Sequence, residues 1–322
     1  MSGRTSVILG ANGFIGTRLQ KHLAAAGDPV TAIDLLPARE TIQGVRQVTA
    51  DVRAPLEVEL GRGAEILYNL AAVHRTPGHP DHEYYDTNVA GALHAVQLAE
   101  ACGVSTIVFT SSISVYGPSE NLLDEDAPLK PVSAYGRSKR LAEIIHQRWA
   151  RAAPGRKLVI VRPGVVFGPG ERGNYSHLAK ALSKGYFLYP GRRDTIKSGG
   201  YVDELLRAIA FALARPEPEI LFNYAYPDPS TTEDIVHAFE RVCGFRRNPP
   251  TLPIAPLLVA ASVFEGLSAL GVKTPIHRQR VMKLVQSTRI EPGWLKSVNY
   301  AFSTRLETAL EAWRDETSGA FS

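Results

Sequence analysis

Cysteine is scarce in this chain. Cys102 and Cys243 are the only two among 322 residues. They lie far apart without metal-ligand spacing, which excludes a disulfide framework and a zinc site. Both read as small core residues in a reducing compartment. Long apolar runs are missing too: the longest, residues 252–264, stops at Glu265, well short of a membrane span. A buried helix of a second domain is expected there, with peripheral membrane contact as the alternative. Low-complexity segments and internal repeats are absent, which excludes solenoids and arrays. Neither sign of charge dominates. Thirty-six Lys and Arg face 32 Asp and Glu, a net charge of +4, and the pI is near 9.0. The basic residues read as dispersed, without a basic tail or stripe. Nucleic acid is therefore not an expected partner, and attraction to anionic phosphate substrates accounts for the balance. The first residues run straight into a strand pattern, which predicts no signal or transit peptide and a cytoplasmic protein.

What is present begins with a dinucleotide fingerprint. RTSVIL at 4–9 reads as a short buried strand, and GANGFIG follows at once. Gly10 permits the tight turn, Gly13 lets backbone approach a pyrophosphate, and Gly16 lets the next helix pack closely on the sheet. Phe14 and Ile15 open that helix, whose N-terminus faces the anion. A second strand, VTAID, ends in Asp34, about twenty residues on, where a carboxylate accepts hydrogen bonds from a ribose diol. The same carboxylate repels a 2′-phosphate, so NAD is expected rather than NADP, although Arg39 keeps NADP as the minority reading.

The second signal is YGRSK, with Tyr135 and Lys139 four residues apart and Ser112 upstream at the end of IVFTSS. On a helix this spacing puts phenol and ammonium on one face. A phenol becomes a base near neutrality only if its pKa falls by about 3 units, roughly 4 kcal/mol of differential stabilisation. A cation about 4 Å away supplies energy of that order. Ser112 at a strand's C-terminal end points into the crevice where α/β sheets bind ligands, or else caps a turn.

Strand and helix patterns alternate through the first two-thirds. Strands are expected near 45–50 and 65–71, a long helix from Asp81 to Cys102, and a loop rich in Pro and acid at 117–133. The YGRSK helix and the strand KLVIVRP follow. The expected fold is α/β, a doubly wound parallel Rossmann sheet with a smaller C-terminal substrate-binding domain. Residues 1–170 form the dinucleotide domain, with returning segments near 195–225, and 171–322 mainly bind substrate.

With these residues together, the chain resembles the extended short-chain dehydrogenase/reductases, specifically the NAD-dependent epimerase/dehydratase family acting on nucleotide sugars. Its markers are GANGFIG, Asp51-Val52-Arg53, NLAA at 69–72, NVAG at 88–91, SSISVYG at 111–117, YGRSK and RPGVVFGPG at 162–170. RGNYSHL at 172–178 and KSGGYVDEL at 197–205 resemble a bacterial subgroup associated with surface-polysaccharide biosynthesis. The resemblance implies that Asp51 and Val52 flank adenine, that Leu70, Ala71 and Ala72 line the dinucleotide, and that Pro163 lies by the nicotinamide. Asn88 would tie a helix to the sheet, and Ser112 would hydrogen-bond the reacting hydroxyl. Asn174 matches an Asn that holds substrate phosphate or nucleotide, and it reads equally as an N-cap. Lys197 falls where a relative's Arg reaches the diphosphate, without the bidentate fork, or is a solvated loop charge. Arg280 either pairs a phosphate oxygen or forms a surface salt bridge. His74 either lines the sugar pocket or is an ordinary core or surface His.

The implied chemistry is oxidation of a sugar C4 hydroxyl by a Tyr135 phenolate, with Lys139 holding the nicotinamide ribose. A dehydratase of this family carries an Asp-Glu pair after the catalytic hydroxyl, where this chain has Ile113 and Ser114. The expected activity is therefore 4-epimerisation of a UDP-hexose or UDP-N-acetylhexosamine. The alternatives are a 4-ketoreductase or dehydratase, a hydroxysteroid-like alcohol dehydrogenase suited to the apolar stretch, and a non-catalytic redox-sensing regulator. A homodimer through the helix at 81–102 and the YGRSK helix is the implied assembly.

Overall fold

The computed structural model describes residues 3–76, 78–244, 248–269 and 278–322. In chain order its first elements are β1 (Ser6–Leu9), α1 (Phe14–Ala25), β2 (Val30–Asp34), β3 (Val45–Thr49), β4 (Ile66–Asn69), α2 (Asp81–Tyr85) and α3 (Gly91–Cys102). Then come β5 (Thr106–Thr110), β6 (Ser119–Leu123), α4 (Ala134–Arg151), β7 (Lys157–Pro163), β8 (Val165–Phe167), α5 (Asn174–Lys184) and β9 (Tyr189–Pro190). The later chain holds β10 (Gly199–Tyr201), α6 (Val202–Ala214), β11 (Glu219–Tyr224), α7 (Thr232–Cys243), β12 (Thr251–Leu252) and α8 (Ile254–Ala269). It closes with α9 (Arg278–Val285), β13 (Thr288–Ile290), α10 (Gly293–Ser297) and α11 (Leu306–Glu316).

Seven strands form one parallel sheet in the order β11-β7-β5-β4-β1-β2-β3. The strand order reverses between β1 and β4, which opens a crevice at their C-terminal ends. Both faces are covered, so β1 and β4 are buried at every position rather than alternating. Ile8, Tyr68, Val108 and Phe222 pack with α6 on one side; Leu9, Leu67, Phe109 and Ile160 pack with α3 and α4 on the other. A third core gathers Phe167, Tyr175, Phe239 and Trp313 beyond the strand ends.

Three sequence expectations need correction. The helix expected over Asp81–Cys102 is interrupted by a π-helical turn at Asp86–Ala90, which carries Asn88. The loop at 117–133 contains β6, which pairs in parallel with β13; its partner strand lies too far along the chain for local patterning to reveal it. The apolar stretch at 252–264 is not a buried helix. Ala255, Pro256, Val259 and Ser262 of α8 are exposed, Val259 at 66%, because no core element covers that face among the described residues.

Candidate active site

The glycine loop is shaped by close backbone approach. Gly10 has φ +76°, and a Cβ there would lie 2.6 Å from the Ala71 nitrogen, so β1 turns directly against Leu70 and Ala71. Gly16 faces the Ala11 carbonyl at a distance that no side chain fits. Gly13 is exposed and stands as N-cap of α1, with no side-chain cap and no acid in the first turn. Phe14 and Ile15 begin the helix there, which leaves its positive end open to an anion. Asp34 accepts hydrogen bonds from the Asn12 and Leu36 N–H groups, each at 2.9 Å, which fixes its carboxylate beside the loop. A cavity of about 170 Å³ opens here between Asn12, Gly13, Phe14, Arg39 and Gly170. These features fit a dinucleotide. Asp51 is held by Arg53 at 2.6–3.0 Å, while Val52 is buried against Gly91. Pro163 ends β7 in the sheet.

α4 places the reacting groups. Ser133 caps it by accepting from the Gly136 N–H at 3.1 Å. Its buried stripe runs Ala134, Ser138, Lys139, Ala142, Glu143, His146 and Trp149, a helical periodicity. Lys139 is only 2% exposed, and Tyr135 sits half-buried at the stripe's edge. A Cβ on Gly136 would collide with the Ser114 carbonyl, so the glycine lets α4 close against the turn that carries Ser112. Ser112 accepts from the Ser114 N–H at 3.1 Å and donates to the Ser114 hydroxyl at 3.2 Å. It therefore caps a turn, and it lies near enough to the Tyr135 phenol to lower its pKa.

The electrostatics differ from the expectation drawn from spacing alone. Burial raises the Tyr135 pKa, and the neighbouring Ser112 hydroxyl offsets this in part. The Lys139 ammonium donates to the Thr110 carbonyl at 2.8 Å and lies 4.8 Å from the Phe109 ring centroid. Burial pushes its pKa down to about 7, opposed by the Glu143 carboxylate. In the polypeptide itself, then, the cation is anchored to β5 rather than spent on the phenol.

Beneath the site lies a buried polar network that the motifs did not disclose. Arg162 grips Glu143 in a bidentate pair, both bonds at 2.8 Å, with exposures of 3% and 0%. Ser111 donates to Glu143 at 2.6 Å, Arg162 donates to the Tyr116 hydroxyl at 2.7 Å, and that hydroxyl donates to Asn223 at 2.8 Å. The signals available were an Arg inside an otherwise apolar strand and a Glu one turn beyond Lys139. His146 stacks on Phe109 at 4.2 Å, and burial pushes its pKa down to about 4, which keeps it neutral. Asn88 accepts from the Val73 N–H at 2.9 Å and donates to Ser138 at 2.8 Å, joining the π-helical turn to α4.

The remaining candidates scatter. Asn174 is the first residue of α5, with Gly173 as N-cap, so its exposed amide is not a cap. Lys197 is no solvated charge: its ammonium donates to the Lys283 and Gln286 carbonyls, each at 2.6 Å, closing the end of α9, and burial lowers its pKa to about 8. Arg280 lies on α9, and its side chain falls outside the described residues. His74 is exposed on the loop after β4, and Ala72 sits half-buried at its start.

A parallel sheet with a glycine-rich first turn, and a Ser-Tyr-Lys constellation past its central strands, define a dinucleotide-dependent enzyme that works on an alcohol. The chain belongs to the NAD dependent epimerase/dehydratase family, whose model matches residues 6–223; its cofactor is NAD. It is 30% identical over 313 residues to the N-acetyl-α-D-glucosaminyl-diphospho-ditrans,octacis-undecaprenol 4-epimerase of Escherichia coli O157:H7, covering 95% of this chain and 92% of the relative. Identity to a UDP-glucose 4-epimerase of Azospirillum brasilense is 28%, over 74% of this chain and 77% of that one. The fold matches a UDP-N-acetylglucosamine 4-epimerase from Methanobrevibacter ruminantium M1, in complex with UDP-N-acetylmuramic acid. There the TM-score is 0.80 at 18% identity, covering 99% of both chains.

Proposed function

We propose that the protein is an NAD-dependent 4-epimerase of a diphosphate-linked hexose, with a UDP-hexose or UDP-N-acetylhexosamine as substrate. The observation that carries this reading is the meeting of Ser112, just past the end of β5, with the α4 helix that bears Tyr135 and the buried Lys139. Tyr135 takes the C4 hydroxyl proton while Ser112 holds that oxygen in line. NAD, held along the glycine loop, would supply the hydride-transfer chemistry at C4, and its positive charge would favour the phenolate. Lys139 reaches the nicotinamide ribose from its anchor on Thr110. Leu70, Ala71, Ala72 and Pro163 line the dinucleotide, Asp34 holds the adenosine ribose, and Asp51 with Val52 borders the adenine. Asn174 holds the substrate's phosphate end. A dehydratase also needs an acid/base pair past the hydroxyl, and Ile113 and the Ser112-bonded Ser114 cannot move that proton.

A second reading concerns the carrier. The Escherichia coli relative is named for a sugar on undecaprenyl diphosphate, and the exposed apolar α8 suits such a substrate. We place the enzyme in the cytoplasm, where the free thiols of Cys102 and Cys243 stay reduced. No helix among the described residues is long and apolar enough to cross a membrane. The assembly we favour is a homodimer through α3 and α4, whose Leu93 and Leu141 are 46% and 43% exposed.

The test is incubation with UDP-glucose, UDP-N-acetylglucosamine and N-acetylglucosaminyl-diphospho-undecaprenol, resolving the C4 epimers. Epimer from the lipid alone decides for the second carrier, and none from any of them defeats the proposal. Tyr135→Phe should keep NAD affinity and cut turnover roughly a hundred- to ten-thousand-fold.

A further inference from the structure

The positive charge of this chain is not spread along it. Residues 241–290 hold eight Lys and Arg against the single acid Glu265, a surplus of seven, whereas the whole chain's surplus is four. Everything outside that segment is therefore net acidic. The basic segment also contains α8, IAPLLVAASVFEGLSA, whose apolar residues far outnumber its polar ones and whose single charge is Glu265. A helix of that composition is ordinarily enclosed. Here Val259 is 66% exposed, with Ala255 and Pro256 exposed beside it.

Other exposed apolar side chains gather at the same end. β12, which runs into α8, pairs with β9, directly after Tyr186 and Leu188, which are 59% and 36% exposed. Gly191 lies against Ile254 of α8 and Val285 of α9, and Leu284 of α9 is 53% exposed. Arg278, Arg280 and Lys283 belong to α9. An exposed apolar helix, in a segment whose sequence holds eight basic residues against one acid, matches one partner in particular, an anionic phospholipid bilayer. The sixteen described residues of α8 make a helix of about 24 Å, shorter than the hydrocarbon core, and no helix among the described residues is long and apolar enough to span.

We propose that α8, the outer side of α9 and the Tyr186–Leu188 turn dock the protein in plane on an anionic bilayer. The docked end is tied to the crevice. Lys283 donates to the Thr76 carbonyl at 2.6 Å, on the loop that follows β4, and Lys197 closes α9 on the same rim. Docking would hold the mouth of the crevice near the headgroups. The inference does not depend on which diphosphate-linked sugar is turned over.

The experiment is sedimentation of the purified full chain with phosphatidylcholine vesicles containing or lacking phosphatidylglycerol, at low and high salt. Binding to the phosphatidylglycerol vesicles is expected, weaker by about tenfold without the anionic lipid or at high salt. Val259→Asp should also weaken it about tenfold, with thermal melting and NAD binding unchanged. Leu284→Asp serves the same purpose if the first variant fails to fold. Wild-type protein left in the supernatant overturns the proposal, as does undiminished binding of folded variants. Conversion of a dimer to monomers by Val259→Asp, without vesicle binding by the wild type, also overturns it and assigns the face to a second copy. Because melting and NAD binding are the controls, failure of docking stays separate from failure of the epimerase reading.

Discussion

Lys139 is a buried ammonium, and the pH dependence of folding should register it. Its folded pKa is near 7, below the ordinary 10.5. Between those values the unfolded chain holds the proton and the folded one does not, so stability rises with pH across that window. Below the window both states are protonated and the destabilisation is fully present. Without NAD, wild type should therefore gain stability relative to Lys139→Met from neutral pH toward pH 10, in denaturant titrations. A flat difference would remove the buried charge from the account. Tyr135, Lys139 and Ser112 could be singled out in the sequence because the proposed chemistry demands fixed residue types at fixed spacing. Glu143, Arg162 and Tyr116 were not, since their partnership joins a helix, a strand and a turn that only folding brings together. The electrostatic partner of Lys139 was misjudged for a related reason: spacing gives the helix face, and burial decides which acceptor the ammonium finds.

At the level of elements, α4 is the part on which the geometry turns. Its capping serine, inward stripe and glycine at the third position jointly fix how near Tyr135 comes to Ser112. Gly136→Ala would force the helix away from the Ser114 carbonyl. Overpacking of this kind costs about 1–3 kcal/mol. Turnover should fall by more than NAD affinity, because the glycine loop lies on another strand; steady-state kinetics and cofactor titration separate the two. The alternation of β1 through β5 and β7 was readable because period and turn chemistry are local properties. The π-helical turn, β6 and the exposure of α8 were not, since each depends on what packs against the segment. Asn174 and Lys197 show the same limit: whether a polar side chain meets substrate or a helix end is settled by distant chain.

For the molecule as a whole, helices α3 and α4 each leave a leucine in solvent, Leu93 and Leu141. If two copies meet there, sedimentation should give twice the 35.0 kDa chain mass. Leu93→Glu with Leu141→Glu should give the single mass with NAD binding intact. Arg18 joins three distant parts of the chain, donating to Asp203 at 2.5 and 2.7 Å and to Glu316 at 2.6 and 2.9 Å. This contact at α1 links the cofactor loop to the last helix. The pairing of β6 with β13 spans a still more telling interval, from Ser119 to Thr288. The turn with Ser112 leads into β6, and β6 finds its neighbour only once the chain has been made past Ile290. A nascent chain released by the ribosome as far as β11 would hold all seven strands of the large sheet, while the segment beside its serine still waited for a mate. Capture of the dinucleotide should therefore precede competence toward sugar as the polypeptide is made.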